Sequence, residues 1–159
     1  MTDTIIFISL LVAAIGSIIV GGIFHACSSF VMAGLGRIPS EQGANAMRSI
    51  NVTVFTPSFM IPFMGMALFS LVLAGWALFA WDRAGSGLIL VASLLYLVGC
   101  FGVTMVFNVP LNNRLVAVQP AEEAALWAHY LRVWTRWNTV RTIAPTLGGL
   151  LFILALVPR

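Results

Sequence analysis

Three asparagines and one arginine, Asn108, Asn112, Asn138 and Arg141, sit among Trp134, Trp137 and Tyr130 in a chain that is otherwise mostly aliphatic. Side-chain amides both donate and accept hydrogen bonds, which suits them to a carbonyl-bearing ligand or to loose backbone groups. A guanidinium is a planar fork of donors that stays charged. The spacing Trp127, Tyr130, Leu131, Trp134, Asn138, Arg141 advances by three, four and seven residues, which places all six on one helical face. That face is aromatic at one end and polar at the other. His25 is a further candidate, an ionisable side chain inside a long apolar run, where such a group needs a partner. Each has a plainer reading as well: a membrane anchor for the tryptophans and Arg141, a capped helix end for Asn108 and Asn112, and a neutral histidine bonded to Ser29 or a helix carbonyl.

The elements that must position these groups are membrane helices. Crossing a bilayer takes about 20 apolar residues in helical form, and such runs lie near 5–35, 59–81, 88–107 and 142–157. Hydrophobic residues make up 60% and charged residues 8% of the chain, a balance that would leave a soluble domain with far too much apolar surface. Spans must satisfy their own backbone hydrogen bonds, so the runs are helices. The expected fold is all-α, an integral membrane four-helix bundle in one domain, 1–159, with a short interfacial helix between helices one and two. That short helix is expected near 44–55, carrying Met47, Arg48, Asn51, Val52 and Phe55 on one face, with Arg48 and Asn51 pointing the same way. The first run is expected to remain as a span, because it lacks the positive start of a signal peptide and is about twice the usual core of ~7–15 residues.

Within helix one, Ala13, Ser17, Gly21, His25 and Ser29 recur every fourth position. Small residues let helices approach closely in lipid, so His25 is expected to face a neighbouring helix. Pro110 between Asn108 and Asn112 predicts a break or kink at the end of helix three. The helix opened by Ala121-Glu122-Glu123 is expected to run unbroken into the last span. Met60, Met64 and Met66 read as deformable packing, and Cys27 and Cys100 as small buried filler. The eight arginines place Arg37, Arg48, Arg114, Arg132, Arg136 and Arg141 on one side, with Arg83 and Arg159 opposite. The positive-inside rule then puts both termini outside, in a bacterial inner membrane.

The blocks FHACSSFVMAGLGRIPSEQGANAMRSINVTVFTPSFM, VTMVFNVPLNNRLVAVQP and LWAHYLRVWTRWNTVR resemble the DUF1772, or anthrone oxygenase, family of small four-span membrane proteins. Asn108, Pro110, Asn112, Trp134, Trp137, Asn138 and Arg141 match its pattern, and Arg48 departs from it where glutamine is expected. The resemblance implies a membrane oxidoreductase acting on a hydrophobic phenolic ketone. An anthrone carries an acidic carbon beside two rings and a carbonyl, and its enolate can reduce dioxygen directly, so no cofactor and no metal is expected. Such a site needs a base, donors for the enolate oxygen, aromatic walls and exclusion of water. His25 is the candidate base, since imidazole ordinarily changes charge near neutrality. Arg141, Asn138 and Asn112 are the candidate donors and Trp134 and Trp137 the walls, with Asn51, Asn108 and Tyr130 as further substrate contacts.

Other classes fit less well. The chain has no nucleotide loop, no zinc-spaced Cys/His cluster and no catalytic-triad pattern, and its positive charge flanks membrane spans rather than forming a nucleic-acid patch. A haem held by His25 and His129 would need the two at one depth, which their positions do not give. The expected partners are the lipid bilayer and a hydrophobic small molecule, without nucleic acid, and self-association into a homo-oligomer is allowed. The rival to catalysis is a protein that only binds a quinone-like or lipid ligand, or a partner helix, with the same residues.

Overall fold

The computed structural model describes residues 2–157, with side chains from residue 4 onward, so the Asp3 side chain and Arg159 lie outside the described residues. Five helices account for nearly all of them. Helix α1 (residues 2–35) is regular over Thr2–Ala26, opens into a π-helical turn at Cys27–Val31 and closes at Met32–Leu35. Pro39, in extended conformation, starts α2 (Ser40–Thr53). Helix α3 (Pro57–Phe79) begins on a proline, whose missing N–H is harmless in a first turn, and runs on through Pro62. Helix α4 (Ser86–Ala117) contains two π-helical stretches, Leu95–Gly102 and Thr104–Asn108. After a 3₁₀ turn at Pro120–Glu122, α5 (Glu123–Ala155) runs without interruption, as expected.

Helices α1, α3, α4 and α5 contain the four segments long and apolar enough to cross a membrane. Their outward faces carry large apolar side chains such as Ile5, Ile8, Leu68, Val72, Val98 and Leu154, which a bilayer, unlike water, solvates without penalty. In cross-section α5 packs on α1 and α4, and α3 closes the other two sides against the same pair. Ile6 near the start of α1 and Leu156 just past α5 pack against the same core, so the start of α1 and the end of α5 lie at the same end of an up-and-down bundle. Helix α2 lies outside this square, against the projecting ends of α4 and α5.

The spans approach one another closely through glycines of α5. A Cβ on Gly149 would stand 3.0 Å from the Ala14 carbonyl oxygen, and one on Gly148 the same distance from that of Ala92. Ala14 and Ala92, which face these glycines, are themselves fully buried. Near α2 the packing becomes aromatic: Trp127, Tyr130 and Trp134 join Met32, Met47, Leu111 and Leu115. Gly43 brings α2 onto this surface, since a Cβ there would meet the Trp127 ring at 2.8 Å. Arg48 fastens α2 by an ion pair to Glu123 and by a 3.0 Å hydrogen bond to the Leu115 carbonyl, joining three helices.

Three expectations are corrected. Pro110 does not break the third span, because the π-helical turn before it has already shifted the hydrogen-bond register in which the missing N–H would count. The face expected over 44–55 is not one surface: Phe55 lies beyond α2, which ends at Thr53, and Val52 is exposed while Met47 turns inward. His25 is also exposed rather than facing a neighbouring helix. A helix turns about 100° per residue, so a four-residue repeat drifts ~40° at each step. Ala13, Ser17 and Gly21 remain inside, but by His25 the drift has carried the side chain outward and Phe24 takes the inner position.

Candidate functional site

Arg141 is buried within the bundle, 6% exposed, five turns into α5. Its Nε donates to Asn138 Oδ1 at 2.9 Å and its Nη1 to Thr104 Oγ1 at 3.3 Å. Both acceptors are neutral, and among the described residues no carboxylate pairs with it. The guanidinium carbon lies over two aromatic rings, 4.1 Å from the Phe24 centroid and 4.8 Å from that of Trp134. Cation–π contact of this kind is worth more when the pair is desolvated, yet it does not neutralise the charge. A buried cation lacking a counter-charge is costly. In a membrane protein such a group marks a functional site by default.

The surrounding amides hold this arrangement. Asn138 donates through Nδ2 to the Phe24 carbonyl at 2.7 Å and to Ser28 Oγ at 2.5 Å, while its Oδ1 accepts from Arg141, so both ends of the amide are engaged within the protein. Asn112 Oδ1 accepts from Tyr130 Oη at 2.7 Å and from Trp134 Nε1 at 2.8 Å. Asn108 donates to the Trp134 carbonyl at 3.2 Å, and its own Oδ1 is buried without a partner. Trp134 is thereby tied at its ring nitrogen and at its backbone. Trp127, Tyr130 and Trp134 form a stack with centroids 5.6 and 5.8 Å apart, which Arg141 and Phe24 extend into the bundle. Beyond Phe24 the stack meets Phe59 and Phe63 edge-on, and Phe63 meets Phe101.

Of the residues singled out in the sequence, the structure joins Asn108, Asn112, Tyr130, Trp134, Asn138 and Arg141 in one connected network. Asn51 belongs to its α2 edge, where its Nδ2 is buried without a hydrogen bond. Trp137 is elsewhere: it stacks on Phe107 at 3.6 Å between centroids, on the outer side of α4 and α5. His25 faces outward and only its backbone carbonyl is used, accepting from Ser29. Phe24, Ser28 and Thr104 were missed. The spacing of Phe24 seven residues after Ser17, two helical turns on, was the signal for the first, whereas Thr104 gave none, because its role depends on how α4 is wound. Among the described residues no three His, Cys, Asp or Glu side chains are grouped to hold a metal ion. A surface recess of about 550 Å³ lies apart from Arg141, between Arg114, Val118, Glu122 and His129.

The Asn108–Asn112 segment and the Trp134–Arg141 face both fall within residues 52–151, over which the sequence matches the anthrone oxygenase family. The chain belongs to that family. The match includes α3, α4 and nearly all of α5, and so every polar group of the network except those contributed by α1 and α2. Comparison with curated proteins and with solved structures found no match. As an anthrone oxygenase family member the protein is a four-span helical membrane protein, and its Arg141 network is the arrangement from which an activity has to be argued.

Proposed function

We propose that the protein is a membrane oxidoreductase that oxygenates a hydrophobic, acidic, polycyclic phenolic ketone, with Arg141 holding the substrate oxygen as it becomes an oxyanion. The observation that carries this reading is a buried guanidinium lying over two aromatic rings, with no carboxylate partner among the described residues. A planar aromatic enolate supplies what the group lacks, a negative oxygen attached to a ring. In a low-dielectric interior the attraction is far stronger than in water, and it favours the ionised substrate. Asn108 Oδ1 offers an acceptor to a substrate hydroxyl.

The chemistry balances without a further redox partner. Loss of one proton from the acidic CH₂ gives the enolate, whose carbon adds dioxygen to give a peroxide anion. Protonation yields a hydroperoxide, and elimination of water across its C–H and O–O bonds leaves a ketone. One oxygen atom of dioxygen enters the product and the other leaves as water. Asn138 and Asn112 act in this reading as positioning residues, because their contacts hold Arg141 and Trp134. A bacterial inner membrane with both termini outside is the setting that the arginine distribution favours.

The test is oxygen uptake by the purified protein with an anthrone, in parent and Arg141→Ala forms. The reading expects uptake, one molecule of quinone formed per dioxygen consumed, and its collapse in the variant. If no anthrone or hydroquinone supports uptake, but a quinone binds and Arg141→Ala abolishes the binding, the protein is a binding protein. Loss of neither property in the variant would leave Arg141 a structural anchor.

A further inference from the structure

We propose that Phe24 is a displaceable plug: its ring fills the space beside the Arg141 guanidinium that a ligand ring occupies, and its size limits the ring system admitted. This inference rests on the reading of Arg141 as the oxyanion-binding group. The two rings over the guanidinium are held very differently. Trp134 is fixed by the bonds from its Nε1 to Asn112 and from Asn108 to its carbonyl, and by stacking on Tyr130. Phe24 has no polar atom in its ring, and its aromatic neighbours Phe59 and Phe63 meet it edge-on, at interplanar angles of 75° and 86°. Phe59 is itself only half-buried.

The backbone beneath the plug is anchored, because Asn138 holds the Phe24 carbonyl at 2.7 Å. Displacement therefore needs rotation of the side chain rather than movement of α1. The π-helical turn that starts at Cys27 widens α1 one turn further on, and such turns gather at functional sites. An incoming aromatic ring replaces the phenyl ring against the cation and adds an oxygen that Phe24 lacks. A neutral aromatic gains only the first of these, so the exchange selects oxyanions.

Binding of 4-nitrophenolate at pH 8.5 to the protein in detergent micelles, corrected for micelles alone and compared with nitrobenzene, tests the plug. Phe24→Ala should tighten 4-nitrophenolate by ~10-fold, because the binding-competent site no longer has to be opened, and nitrobenzene by less. Phe24→Leu, which keeps most of the packing, should shift affinity in the same direction and decides the matter if the alanine variant does not fold. Adding Arg141→Met to either variant should erase the preference for the phenolate. Unchanged or weaker phenolate binding in a folded Phe24 variant overturns the plug, as does a gain that survives Arg141→Met. Anthrone-driven oxygen uptake that depends on Arg141, with phenolate affinity indifferent to Phe24, removes the plug and keeps the proposed activity. A gain in affinity without any oxygen uptake keeps the plug and removes the activity.

Discussion

The two halves of one bundle are built on opposite rules. In the half that holds the chain ends, α1, α4 and α5 meet through Ala14, Ala92, Gly148 and Gly149, and the helices there are regular. Ser17, Ser70 and Ser93 are buried in the bundle with no hydrogen-bond partner, so they serve as small residues. In the half that holds Arg141, α1 and α4 are wound as π-helix, and asparagine, threonine and tyrosine groups are bonded across helices. Both halves exclude solvent. In one, side chains are selected for volume and backbones nearly touch; in the other, for direction. The close half fixes where the spans stand, and that fixed frame lets a buried cation be held by neutral groups.

The strongest test of this contrast is Arg141→Ala. If the network exists for the cation, anthrone-dependent turnover should fall ~10²- to 10³-fold, as when one oxyanion donor is removed, while thermal unfolding in detergent stays near that of the parent. A large loss of stability with unchanged turnover would reverse the assignment. Next comes Gly149→Val in the close half, expected to destabilise by about 3 kcal/mol, the upper range for overpacking, with turnover per folded molecule unchanged. Normal unfolding of this variant would show that the close half has slack. Asn112→Ala should cost about 1–2 kcal/mol, because it strands the Tyr130 hydroxyl and the Trp134 indole N–H. Freed Trp134 should also change its fluorescence, which separates loss of positioning from simple loss of stability. His25→Ala should change stability by less than about 0.5 kcal/mol, as for an exposed position. If it slows turnover instead by the ~10²-fold typical of a general base, the outward histidine contributes to the reaction after all.

The spans, the interfacial helix and the unbroken α5 were legible in the sequence because length and apolarity alone determine them. The buried face of α5 was legible too, since one regular helix carries Trp127 through Arg141 and 3.6-residue periodicity orders it. What failed depended on winding. A four-residue repeat suggested that His25 faces inward, but the repeat drifts and brings in Phe24. Pro110 suggested a broken helix, yet π-helical geometry absorbed it, and the same geometry delivers Thr104 to Arg141. Trp137 matched the family pattern and still left the network, because three residues beyond Trp134 the face has turned toward Phe107.

The clamp around Arg48 also bears on how the protein is made. Arg48 and Glu123 are separated by 75 positions in the chain, so their ion pair can close only after the third span is threaded and the fourth has begun to emerge. Until then α2 has no docking surface from Trp127 and must wait at the membrane surface on its own amphipathic face. The Leu115 carbonyl, at the far end of the third span, adds the same requirement. Fastening α2 thus waits until Glu123 has been made and the fourth span follows it.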